Sequence, residues 1–87
     1  IDMTQELFIM GVDLDLIGKA GAWFTCNFLI ENKEDIKHLF EENDVDMTDE
    51  KAVKSFLQFQ GQDKVTKFLN KYPITLEILE KEIRSMF

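Results

Sequence analysis

The chain has 87 residues, 17 acidic and 10 basic, and a formal net charge of −7. That length gives one small domain with a modest core, while 45% apolar residues, eight of them Phe, exclude an intrinsically disordered chain. The acidic balance repels polyanions at long range, so nucleic acid or an anionic membrane surface has to be met by a local basic patch.

Taken in chain order, Asp2 has the side chain of an N-cap, and Met3 to Val12 carries Leu7, Phe8, Ile9 and Met10 without proline, which predicts a short, largely buried helix. Gly11 and the Asp13/Asp15 pair end it, and Gly18 and Gly21 loosen the approach to the next element. From Ala22, Phe24, Cys26, Phe28 and Ile30 alternate with Thr25 and Asn27, the period of two expected of a strand. Asn32 can cap a helix from Lys33 to Glu42 with Ile36, Leu39 and Phe40 on one stripe. Asn43 to Asp46 reads as a loop. Thr48 can cap the next helix, whose opening acids Asp49 and Glu50 suit the positive helix end and whose inner face is Ala52, Val53, Phe56 and Leu57.

Gly61 breaks that run. A helix from about Asp63 to Asn70 follows, with Val65, Phe68 and Leu69 inside, and Pro73 then opens a last helix to about Met86 on the stripe Leu76, Leu79, Ile83 and Met86. The pattern Val-x-x-Phe-Leu occurs twice, at Val53 to Leu57 and Val65 to Leu69, which reads as two amphipathic helices using similar core residues, because repeat arrays need about three units.

Catalytic signatures are missing from this pattern. The four glycines nowhere give phosphate-loop spacing, so ATP is not expected to bind here. His38 lies off the apolar stripe and reads as a solvent residue. The single cysteine, Cys26, excludes an internal disulfide and reads as a core thiol in a chain from a reducing compartment. Glu41, Glu42, Asp44, Asp46, Asp49 and Glu50 lack the central glycine of a calcium loop and read as a solvated face, with a weak divalent-cation site as the minority alternative. No apolar stretch approaches the roughly 20 residues of a spanning helix. The start at Ile1 without a basic leader suggests a piece of a longer cytoplasmic protein.

Two blocks together resemble the C-terminal domain of the bacterial RecA recombinase family. Ile1-Asp2-Met3-Thr4-Gln5-Glu6-Leu7-Phe8-Ile9-Met10-Gly11-Val12 is similar to the helix leaving that family's ATPase core, and Leu16-Ile17-Gly18-Lys19-Ala20-Gly21-Ala22-Trp23-Phe24 to the strand after it. Lys-Ala-Gly-Ala-Trp-Phe is the sharpest signature. Gln60-Gly61-Gln62-Asp63-Lys64-Val65-Thr66-Lys67-Phe68-Leu69, through Pro73 to Ile83-Arg84, resembles the family's final two helices. Between the blocks, where the family has a tight hairpin, this chain has 28–59, an insertion whose nine acids against four lysines supply five of the seven net negative charges.

The resemblance implies an α+β fold, helices packed on a small antiparallel sheet, with an added helical insertion, all in one domain spanning 1–87. It also implies an accessory role in DNA recombination and repair: weak, sequence-independent capture of double-stranded DNA beside an ATPase core and its filament neighbours. ATP and magnesium belong to that core, so no cofactor is expected in this chain and no enzymatic activity. The implied DNA-binding residues are Lys19, Gly61, Gln62, Lys64 and Lys67, since a helix start after a glycine turn offers N–H donors to phosphate and lysine adds charge. Asp13 and Asp15 stand where many members carry lysine, Gln62 where a basic residue is usual, and Tyr72 where asparagine normally caps the last helix. With two or three phosphate contacts, log affinity should fall against log salt with a slope of about −2 to −3. The alternative function is an acidic protein-interaction or autoinhibitory module of the same filament.

Overall fold

The computed structural model describes residues 3–87, so the Asp2 cap lies outside the described residues. It is a small α+β domain in which helices pack on a three-stranded antiparallel sheet. Helix α1 (Met3–Asp13) leads into a hairpin of β1 (Gly18–Ala20) and β2 (Trp23–Thr25). Next come α2 (Asn27–Glu31), a 3₁₀ turn (Lys33–Ile36), α3 (Lys37–Glu42) and α4 (Glu50–Phe56). Strand β3 (Gln58–Gln60) returns to pair with β2, and α5 (Gln62–Lys71) and α6 (Pro73–Ser85) close the domain.

The hairpin turn has Ala20 opposite Trp23, leaving Gly21 and Ala22 as the two loop residues. Gly21 alone of the two has positive φ, at 63°, the pattern of a II′ turn, whose twist matches that of the flanking strands. Phe24 sits between Lys19 on β1 and Phe59 on β3 in register, and its ring packs edge-on against Phe8 of α1 at 5.2 Å between centroids. Helix α1 meets the sheet at this ring pair, while the helix 62–71 packs along β3.

Several expected boundaries move. The strand expected to continue through Ile30 ends at Thr25, and Phe28 and Ile30 lie in or beside the first turns of α2. The alternation that suggested a strand here marks a helix buried on more than one side, since Phe28 and Leu29 are both fully buried. Asn32 caps nothing with its side chain; its Nδ2 donates to the Phe28 carbonyl at 2.7 Å and to Glu82 Oε1 at 3.0 Å, tying the end of α2 to α6. Residues expected to form one helix from Lys33 divide into the 3₁₀ turn and α3. The cap of α4 is Asp49, whose carboxylate accepts from the N–H groups of Lys51 and Ala52. Thr48 instead donates its hydroxyl and its N–H to Asp46 Oδ1, which holds the Asp46 carboxyl below the usual carboxylate range.

The stretch 28–59 is structural and does not hang off the domain as an appendage. Of the sixteen buried apolar residues described in the core, seven come from it: Phe28, Leu29, Ile36, Leu39, Phe40, Val53 and Leu57. Its two ends meet, the Cys26 N–H donating to the Leu57 carbonyl at 2.9 Å beside the β2–β3 pairing. The two Val-x-x-Phe-Leu segments also meet, Phe56 against Phe68 edge-on at 5.7 Å, with Phe40, Phe59 and Tyr72 extending the aromatic cluster. Tyr72 leaves α6 without a side-chain cap, while buried Thr75 donates its hydroxyl back to the Tyr72 carbonyl at 2.6 Å.

Cys26 is fully buried, and burial pushes its thiol up to about 12. Because the native thiol holds its proton where the unfolded one, near 9, has lost it, stability is intact below pH 9 and falls as pH rises toward 12. The slope from this group is about 1.4 kcal/mol per pH unit. Urea midpoints measured from pH 8 to 11 should decline less steeply for Cys26→Ala than for the parent chain, and equal declines would contradict this assignment.

Candidate nucleic-acid interface

Two of the five expected DNA-binding residues come together. Lys19, at the middle of β1, and Gln62, the first residue of α5, line one depression of about 150 Å³ with Phe8, Ile9, Val12, Asp13 and Phe24. They meet because β2 lies between β1 and β3: Trp23 is opposite Gln60, and the Gly61 N–H donates to the Ala22 carbonyl at 2.9 Å. The hairpin tip and the start of α5 are therefore neighbours, a placement set by β3, a strand the sequence pattern did not announce. With one apolar residue, Phe59, between two glutamines, Gln58–Gln60 lacks a periodic signal.

Lys19 is exposed, and its Nζ stands 6.0 Å from the Phe24 ring centroid, at the limit of a cation–π contact, which puts its charge beside the depression. Asp13 lines the same depression and offsets that charge. Gly61 is the N-cap of α5 with φ of 95°, but its N–H is taken by Ala22, so a phosphate at this end would meet the N–H groups of the first helical residues instead. Glycine offers those donors no side-chain cap. Asp63, in the first turn of α5, opposes an anion there.

Lys64 and Lys67 are exposed and three residues apart on α5, Lys64 at the edge of the face that buries Val65, Phe68 and Leu69 and Lys67 farther from it. Neither lines the depression that holds Lys19 and Gln62. Ile9 of the lining is 49% accessible, and Trp23, next to Phe24 in sequence, is 45% accessible. His38 is exposed. Among the described residues, no group of three His, Cys, Asp or Glu side chains is set to hold a metal ion. No described helix is long and apolar enough to cross a membrane.

No protein-family model, curated protein or solved structure matches this chain.

Proposed function

We propose that the chain is an accessory DNA-capture lobe of a RecA-like recombinase, a cytoplasmic module that contacts duplex DNA weakly and without reading sequence. The observation that carries this reading is the juxtaposition of the exposed Lys19 ammonium with the uncapped start of α5 across the β1–β2 turn. A lysine beside helix N–H donors is a phosphate-binding arrangement, and it uses the two segments whose residues resemble the family. Lys64 and Lys67 add long-range attraction along α5. The interface is weak because Asp13 and Asp63 flank it and the whole chain carries −7.

Fluorescence anisotropy with labelled duplex DNA tests this. Saturable binding is expected at low salt, disappearing toward physiological salt. Lys19→Ala should flatten the salt slope by about 0.9, one phosphate contact, while Asp13→Asn should tighten binding. Absence of salt-sensitive binding at low salt, or a Lys19→Ala variant equal to the parent, would count against the reading.

The second reading, an acidic protein-interaction or autoinhibitory module, draws on the charge of 28–59. Because that segment supplies Ile36, Leu39, Phe40, Val53 and Leu57 to the core, its test is neutralisation of exposed acids such as Glu41 and Glu42, and not removal of the segment. Raised duplex affinity in the full-length filament protein is the expected result.

A further inference from the structure

Helix α6 has two adjoining faces. Thr75, Leu79 and Ile83, four apart, are buried in the domain. Ile74, Glu77, Ile78, Lys81 and Glu82, at the three-and-four spacing of a second stripe, line a groove of about 330 Å³ whose other wall is Asn32 and Asp35. Ile74 and Ile78 are half-buried and packed on the core, so they form its floor. The rim holds three carboxylates, Asp35, Glu77 and Glu82, to one ammonium, Lys81.

We propose that this groove docks a cationic segment of a protein partner, one presenting lysine or arginine next to an aliphatic side chain. The occupant follows from the charge and shape of the groove. None of the three rim carboxylates has a lysine or arginine nitrogen within 4.0 Å; the one ion pair among the described residues joins Arg84 to Glu80. Glu82 is held in place by the Asn32 amide, so one acceptor is fixed before any partner arrives. The carboxylates are spread along the rim and do not converge as chelating ligands do, which suits several ammonium or guanidinium groups along a chain better than one ion. The apolar floor takes the aliphatic residue, as grooves that receive amphipathic segments do. A net charge of −7 steers such a segment toward the domain. This site uses none of the residues assigned to DNA, so either can fail without the other.

The test is a titration of the chain with a short fluorescein-labelled peptide of lysine and leucine, read by anisotropy and by amide NMR shifts. The parent should bind, with shifts at Asn32, Asp35, Ile74 and Ile78. The triple variant Asp35→Asn, Glu77→Gln, Glu82→Gln should bind about tenfold more weakly, and the equally charged control Glu41→Gln, Glu42→Gln, Asp44→Asn less than about threefold more weakly. Replacing the leucines of the peptide by serine should also weaken binding. Should the triple variant fail to fold, the single Glu77→Gln at an exposed position should weaken binding about threefold. Equal losses in the two triples, equal binding of the serine peptide, or no binding by the parent would overturn the proposal.

Discussion

Phe28→Ala is expected to lower unfolding stability by about 3–5 kcal/mol, the cost of emptying a fully buried aromatic site. A domain of this size has a total of only about 4–13 kcal/mol, so the variant should be largely unfolded or show a sharply reduced urea midpoint. Phe28 stands at the start of the acidic stretch, on α2, whose main partner is α6. If 28–59 were a detachable elaboration, truncating this side chain would leave the β1–β2 hairpin, α5 and α6 intact. Because Phe28, Leu29, Ile36 and Leu57 lie in the same core as Leu79 and Val65, loss of one should unfold the whole. Circular dichroism at 222 nm and amide exchange should therefore report one transition. Retention of a protected α5–α6 unit in the variant would contradict the single-core description.

Gly11→Val should also be strongly destabilising, by about 1–3 kcal/mol, through overpacking. Gly11 is buried where α1 crosses α6, and a β-carbon there would stand 3.0 Å from Ile17 Cδ1 and 3.2 Å from Leu79 Cδ1. Alanine at this position gains helix propensity of up to about 1 kcal/mol while pressing on two flexible methyl ends, so its effect should be small. Valine adds two further carbons that the site has no room for. Shortening the neighbour should relieve the clash: Gly11→Val with Leu79→Ala should cost less than the two single changes added together, as a thermal-melt double-mutant cycle would show. Additive costs would mean that the two residues are not in contact.

Three features are legible in the chain, each through its own local signal. Helices α5 and α6 advertise themselves because each is long enough for the three-and-four spacing to repeat, as with Val65, Phe68 and Leu69. The proline-free apolar run marks α1 as a helix but not which residues it buries: Ile9 and Met10, expected inside, are exposed, and α1 buries Thr4, Phe8 and Gly11 instead. The turn at Gly61 was legible because a left-handed φ of 95° favours glycine. Exposure of His38 follows from its place off the apolar stripe, whereas Cys26 is buried at the N-cap of α2, beyond the end of the strand whose alternation places it inside. The short elements are not legible where local signals conflict. Phe28 and Ile30 continue an alternation begun by Phe24 and Cys26, yet the chain turns helical at Asn27, because a short helix buried on several sides has no polar face to show its period. Asp49 and Thr48 are both good caps, and only the observed geometry chose between them.

The candidate site divides in the same way. Lys19, the Gly61 turn and the lysines of α5 are visible as charges and a turn in the sequence, but their relative positions depend on β3. Charge, size, the single thiol and the amphipathic helices are properties of composition and near neighbours, which act over one or two turns of chain, and these the amino-acid sequence determined alone. The tertiary structure decided that Gln60 lies beside Trp23, that Asp13 shares a depression with Lys19, and that Asn32 reaches Glu82. Gln60 and Trp23, and Asn32 and Glu82, are far apart in sequence, and Asp13 meets Lys19 across the break between α1 and β1, so no single local period connects any of these pairs and packing of the common core sets their distances.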